Sequence, residues 1–250
     1  MQFASSNRFV SVVIPCLNEE EPIADVVREV LAQQVDEVIV VDNGSTDRTA
    51  EFAAKAGARV VTEPRPGYGR ACAAGANAVD PRSEIICFLD GDGSDVPGFM
   101  ADVVEPVAAG HSDFVMGSRL RGKREAGSMT PQQLLAGWIA GLLLRATYGV
   151  RFTDMSPFRA LRVERLRALG MREQTYGWNL EMQMRAAAAQ YHILEIPVDH
   201  RCRQGGVSKV SGNLTAGMKA AWKIVTTFLR LAVSLRREPP LQFRLRDNKA

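Results

Sequence analysis

The sequence predicts an α/β chain built on a mostly parallel sheet flanked by helices. Three observations carry that expectation. The first 118 residues alternate short β-rich runs with helical patterns. The strand candidates are apolar on both faces, as strands covered on both sides are. Polar clusters follow the first, second and fourth strands, where open α/β sheets bind ligands.

Taken in order, Phe9–Ile14 reads as a strand and Glu20–Gln33 as a helix. Glu37–Val41 and Thr46–Ala56 repeat the pair, with Ser45 and Thr46 available as helix caps. Arg59–Thr62 and Tyr68–Val79 follow, then Ile85–Leu89, Gly98–Ala109 and Phe114–Met116. Pro97 suits a first helical turn. Beyond residue 118 the pattern changes. Leu134–Leu144 is apolar on all sides around Trp138, too short for the ~20 residues that span a bilayer, so it reads as a buried or interfacial helix. Phe158–Val163 and His192–Val198 read as strands, and Trp178–Gln190 as a helix. Leu214–Leu235 is amphipathic, with Leu214, Met218, Trp222, Val225, Phe228 and Leu229 at helical spacing on one face. The expected organisation is one domain over 1–235, with parts over 1–118 and 119–212 divided where the pattern changes, the amphipathic helix over 213–235, and a flexible basic tail over 236–250.

The chain has 250 residues, 46% hydrophobic and 24% charged, which excludes disordered, collagen-like and coiled-coil classes. Cys16, Cys72, Cys87 and Cys202 form no CxxC pair and read as reduced residues of a cytoplasmic protein. No basic-then-apolar signal pattern opens the chain. The net charge of +3 hides a gradient. Residues 1–118 carry 8 Lys/Arg against 19 Asp/Glu, and residues 201–250 carry 11 against 2. A basic C-terminal fifth suggests an anionic contact, a phosphate or a lipid surface, or else a solvated helix face.

The sharpest chemistry lies in Asp90-Gly91-Asp92-Gly93-Ser94-Asp95. Three carboxylates in six positions repel one another unless protonated or neutralised by a cation. Oxygen-only ligands imply Mg²⁺ or Mn²⁺, held by one or two carboxylates plus substrate phosphates. The same run by itself also fits a plain Gly/Asp turn. Asp42, at the end of Val38–Val41, suits a ribose hydroxyl or base edge, whereas Ser45 and Asp47 suit helix capping. His111, His192 and His200 are isolated and read as structural or solvent-facing.

The runs "VVIPCLNEE", "VIVVDNGSTD", "FLDGDGSD" and "MGSRL" resemble the family 2 glycosyltransferases, in order and spacing over about residues 9–121. "TDMSPFRALR", "GWNLEMQMRA" and "RCRQGGVSKV" extend the likeness over most of the chain, nearest to the dolichyl- or polyprenyl-phosphate mannosyl- and glucosyltransferase branch. That resemblance implies a GT-A fold, with a nucleotide-sugar-binding half over 1–118 and an acceptor-binding half over 119–212. It implies that Pro15, Asn18, Glu19 and Asp42 line a nucleotide base pocket, with Gly67, Gly69 and Arg70 near the nucleotide. Asp90 and Asp92 look like the family's metal-binding pair, with Asp92 the direct ligand. Arg119 would face a sugar or acceptor phosphate. Arg201, Arg203, Ser208 and Lys209 would close over the diphosphate. Asn43 stands where the family more usually has Asp, Ser94 where it often has Gln, and Arg70 where it has Lys, which keeps charge but not geometry.

The implied activity is a metal-dependent, inverting transfer of a hexose from a GDP-mannose- or UDP-glucose-type donor to a polyprenyl phosphate at the cytoplasmic membrane face. A phosphorylated metabolite or a sugar hydroxyl is the alternative acceptor, and a non-enzymatic nucleotide-sugar binder is a further alternative. A hydroxyl acceptor would need a general base, for which Asp95, Asp154 and Glu181 are candidates; an anionic phosphate would need none. Asp154 and Glu181 could equally be partners of Arg159 or Arg185. No nucleic acid is expected as a partner, and a homo-oligomer is allowed.

Overall fold

The computed structural model describes residues 8–205 and 214–237. Seven strands form one sheet: β1 (Val10–Cys16), β2 (Glu37–Asp42), β3 (Arg59–Thr62), β4 (Ile85–Phe88), β5 (Phe114–Ser118), β6 (Arg159–Arg162) and β7 (Ile193–Pro197). Their spatial order is β3-β2-β1-β4-β6-β5-β7. All neighbours run parallel except β6, which is antiparallel to both β4 and β5. The mostly parallel expectation therefore holds, with one reversed strand inserted.

Successive residues of each strand point to opposite faces, and both faces are covered. Val12, Ile14, Val38, Val40 and Cys87 enter one core with Ile23, Val27, Val103 and Val107, from α1 (Ile23–Leu31) and α4 (Met100–Ala108). Their neighbours Val13, Ile39, Val41, Ile86 and Phe88 enter the other core with Cys72, Leu144, Met182 and Phe228. Those come from α3 (Tyr68–Ala78), α5 (Pro131–Tyr148), α7 (Trp178–Ala188) and α8 (Leu214–Arg237). This double coverage is why β1 and β2 read as continuous apolar runs rather than alternating ones.

Most elements fall where the sequence puts them; the departures have local causes. Helix α2 (Thr49–Lys55) starts three residues late. Ser45 and Thr46 do not cap it, because both bond across to Asn18 instead. Helix α5 extends to 18 residues. Thr130 and Gln133 form a reciprocal capping box, Pro131 takes the first turn, and Gly149 ends the helix at φ 73°. The sequence reading missed α6 (Val163–Leu169), which runs on directly from β6 and stops at Gly170. On α8, Phe228 and Leu231 face the core, whereas Trp222 and Leu229, expected on the same face as Phe228, are exposed.

Candidate active site

Strands β2, β1 and β4 are adjacent and parallel. Their carboxyl ends therefore present three loops on one edge, 15–22, 43–48 and 89–96. They border a cavity of about 430 Å³. Pro15, Cys16, Leu17 and Glu19 line it from the first loop, and Asp90, Gly91 and Asp92 from the third. Gly67, Tyr68 and Ala71 contribute from the start of α3, Gln133 from α5, and Arg203 from the segment after β7. Thr175 and Tyr176, ahead of α7, complete the wall.

The acidic wall is tightly organised. Asp92 Oδ1 accepts from the Ser94 backbone N–H at 3.0 Å and from its hydroxyl at 2.6 Å. Asp95 Oδ2 accepts from the Asp90 backbone N–H at 3.0 Å. Tyr68 donates its hydroxyl to Asp90 Oδ1 at 3.1 Å. Burial, then the Asp95 and Asp92 carboxylates, push Asp90 well above the usual carboxylate range. Burial pushes Asp95 up to about 6. The Cys16 thiol is raised by burial and then by Glu19, Asp90, Asp42 and Asp92. The cavity thus carries a concentrated negative field that a bound cation would relieve.

The donor set is oxygen only, and among the described residues no three His, Cys, Asp or Glu side chains converge as a closed metal cage. That fits Mg²⁺ or Mn²⁺, which keep coordination positions for substrate phosphates and water.

Arg203 lines the same cavity beside these carboxylates. Its Nη2 bonds both carboxylate oxygens of Glu19 at 3.0 Å, and its Nε donates to the Gly205 carbonyl at 2.7 Å. The segment carrying it is laid across the acidic loop. Arg201 donates its N–H to the Ser94 carbonyl, and Gln204 to the Asp92 carbonyl, both at 2.9 Å.

Pro15, Glu19, Gly67, Asp90, Asp92 and Arg203 thus meet around one cavity, as the sequence reading has them. Others do not line it, and each for a visible reason. Asn18, at φ 54°, spends its side-chain carbonyl on the Thr46 N–H at 2.8 Å, bracing two loops. Asp42 accepts from the Ser45 N–H at 3.0 Å, so it organises its own loop while adding to the field on Cys16. Gly69 serves packing: a Cβ there would stand 2.3 Å from the Glu173 carbonyl oxygen. Arg70 bonds Gln174 Oε1 at 3.0 and 2.6 Å. Arg201 pairs with Glu29 at 2.6 Å. Asp95 is buried behind the loop. Ser208 and Lys209 lie outside the described residues.

Arg119 and Glu181 are corrected furthest. Arg119 sits in a bidentate pair with Asp154, Nε and Nη2 each 2.8 Å from its oxygens. It acts on Asp95 and Asp90 electrostatically. Glu181 is fully buried. It accepts from the Arg172 and Glu173 backbone N–H groups and from Arg185 Nε at 2.8 Å. That carboxylate holds a turn together and does not face the cavity.

Two further buried residues lie near the acidic loop. His200 takes the structural of its two expected readings: it is 4% exposed, its Nδ1 makes no hydrogen bond, and it lies 3.9 Å from Asp95 Oδ1. Burial, and then Arg119, lower it to about 4, so the imidazole is neutral at physiological pH. Its position immediately before Arg201 was the only available signal. Arg159 is fully buried behind Tyr68 and Asp90, donating to the Ser156 and Asn179 carbonyls. Burial lowers it to about 10.

Fold and cavity define an α/β protein with a ligand site at the carboxyl ends of its parallel strands. The family profile for Glycosyl transferase family 2 matches residues 11–170. The chain belongs to that family and is a glycosyltransferase. An uncharacterised glycosyltransferase of Mycobacterium tuberculosis is 39% identical over 221 residues, covering 87% of this chain and 98% of the relative. The undecaprenyl-phosphate mannosyltransferase of Micrococcus luteus is 27% identical over 239 residues, covering 86% and 96%. Glucosyl-3-phosphoglycerate synthase of Mycobacterium tuberculosis, solved with Mn²⁺, UDP-glucose and phosphoglyceric acid, aligns with TM-score 0.68 at 25% identity. That match covers 92% of this chain and 81% of the synthase.

Proposed function

We propose that this chain transfers a hexose, with inversion, from a nucleoside-diphosphate sugar to an acceptor that carries a phosphate, using Mg²⁺ or Mn²⁺. The observation that carries this is the meeting of Asp92 and Arg203 in the lining of one cavity. Asp92, with Asp90 beside it, would hold the divalent cation, which when bound would supply positive charge next to the donor's diphosphate. Glu19 holds Arg203 at the cavity wall. The guanidinium is placed to exchange that carboxylate for diphosphate oxygens as charge develops there. The acceptor oxygen forms the new bond to the anomeric carbon. The bond from that carbon to the diphosphate breaks, and its electron pair leaves with the nucleoside diphosphate.

The acceptor's nucleophile is the second question. Two of the three general-base candidates are committed elsewhere, Asp154 to Arg119 and Glu181 to Arg185. This supports an oxygen already ionised, such as a phosphate oxygen, which needs no base. The phosphate has two possible sources. A soluble phosphorylated metabolite is favoured by the likeness to the phosphoglycerate-bound synthase. A polyprenyl phosphate is favoured by the Micrococcus relative.

Radiolabelled UDP-glucose and GDP-mannose, offered with Mn²⁺ in separate arms to phosphoglycerate and to undecaprenyl phosphate, decide between them. Label entering the water-soluble phosphoglycerate product selects the soluble source. Label entering the organic phase selects the lipid. No transfer in either arm, with no metal-dependent donor hydrolysis, contradicts the proposal.

A further inference from the structure

The transferase reading leaves one surface unused. Helices α5 and α8 lie against one another and send Ala140 and Leu144 of one, and Phe228 and Leu231 of the other, into a common core. Their outer faces therefore share one side of the molecule. Those faces are apolar. On α5, Leu135, Trp138 and Leu142 fall at i, i+3 and i+7; on α8, Trp222, Leu229 and Val233 fall at i, i+7 and i+11. Trp138 is 64% exposed and Trp222 70%. Two bare indoles and four exposed aliphatic side chains on one pair of packed helices make an apolar surface of a kind that marks an interaction site.

The charge around the patch selects its occupant. Neither helix contains an Asp or Glu, whereas between them they carry Arg145, Lys219, Lys223, Arg230, Arg236 and Arg237. Arg230 is satisfied by Glu173; Arg145 and Arg236 are exposed. A second copy packed about a two-fold axis would bring this basic surface against itself with no carboxylate from either helix to offset it. An anionic bilayer supplies both complements, an acyl layer for the indoles and phosphates for the cations. The patch is also continuous with the active site, since Gln133, on the first turn of α5, lines the cavity. No described helix is long and apolar enough to cross a membrane, so the contact would be interfacial.

We infer that the α5–α8 face docks this enzyme on an anionic lipid surface, with Trp138 and Trp222 seated at the headgroup boundary and the cavity mouth held beside the bilayer. The inference goes beyond the transferase reading, because its test reads vesicle binding and not turnover. The full chain would be sedimented with vesicles of phosphatidylcholine alone and of phosphatidylcholine mixed with phosphatidylglycerol, while tryptophan emission is followed. The expected result is pelleting with the phosphatidylglycerol vesicles, weakened by salt, with a blue shift in emission. The Trp138→Ser/Leu142→Ser/Trp222→Ser variant should bind at least about tenfold more weakly, since each lost side chain removes more than a factor of ten at full burial. All three positions are exposed, and circular dichroism confirms that the variant folds. Arg145→Glu/Arg236→Glu should lose the preference for phosphatidylglycerol. Failure to pellet with either vesicle would overturn the inference. So would pelleting that the triple variant leaves unchanged, or light scattering that shows a dimer which the triple variant converts to monomer.

Discussion

At the scale of single residues, the site is a set of charges that are affordable only in company. Asp154 is the clearest case. Burial raises its pKa, but the Arg119 guanidinium and two backbone N–H groups outweigh that, and the net shift is downward from 3.8. A carboxylate whose folded pKa is depressed adds stability that is fully present above its unfolded pKa. That stability is lost as pH falls through the folded value. The pair should therefore hold undiminished down to about pH 4 and fail below it. Asp154→Asn leaves Arg119 buried without its counter-charge, at a cost of about 3–5 kcal/mol. We expect its Tm at pH 7 to drop by on the order of 10 °C, with the deficit against wild type shrinking below pH 4. Calorimetric scans from pH 7 to pH 3 check both. Glu19→Gln tests the other guanidinium. It should free Arg203 for the donor, so the Kd for a nucleoside diphosphate should fall or hold, whereas Arg203→Ala should raise it about tenfold or more, as loss of a charge-assisted bond does. Unchanged affinity in Arg203→Ala would place Arg203 outside the site.

At the scale of elements, the strands are what the sequence states most openly. Val12–Ile14 and Val38–Val41 are unbroken apolar runs because their residues enter the two cores in alternation, and the parallel pairing of β1 with β2 and β4 puts the loops that carry Glu19 and Asp92 on the same edge. Helix starts are less legible. Ser45 and Thr46 have capping chemistry, but their partner is Asn18, 27 and 28 residues away, and sequence spacing carries no sign of it. Helix α6 was hidden because its first residue, Val163, closes the strand pattern that Phe158–Val163 shows in the sequence, with no loop between β6 and the helix. The long-range ties of Arg70 to Gln174 and Glu181 to Arg172 were likewise invisible, and they are why two expected site residues serve the scaffold. The Gly67–Gly69 turn shows the same dependence on a distant partner. At φ 147°, and with a Cβ only 2.3 Å from the Gln174 carbonyl oxygen, Gly67 tolerates no side chain. Gly69 is equally close to Glu173. Gly69→Ala should thus push α3 from the 173–176 segment that supplies Thr175 and Tyr176 to the cavity. We expect a loss of roughly 1–3 kcal/mol in urea melts, with KM for the donor rising more than kcat falls.

At the scale of the whole molecule, charge is divided by function. The acidic front half holds the Asp90–Asp95 loop, and the residues beyond 118 carry the net positive charge, with Arg203 at the cavity and Arg145, Arg230 and Arg236 exposed on α5 and α8. Burial, and after it the neighbouring carboxylates, raises Asp90 and Asp95. The apo protein is therefore electrostatically strained at the point where the donor binds. Supplying Mn²⁺ together with a nucleoside diphosphate should raise Tm by several degrees through mass action, and either alone should do much less. Differential scanning fluorimetry with the two added separately and together reads this directly.

The central claim is that Asp92 holds a divalent ion against the donor's diphosphate. Titration calorimetry of UDP-glucose and GDP-mannose into wild type and Asp92→Ala, each with Mn²⁺ and with chelator, tests it most directly. The account predicts that wild type binds one donor at least about tenfold more tightly with Mn²⁺, a difference of about 1.4 kcal/mol, and that Asp92→Ala keeps its circular dichroism spectrum but loses that increment. Equal affinity with and without metal in wild type, or an undiminished metal effect in Asp92→Ala, would contradict it.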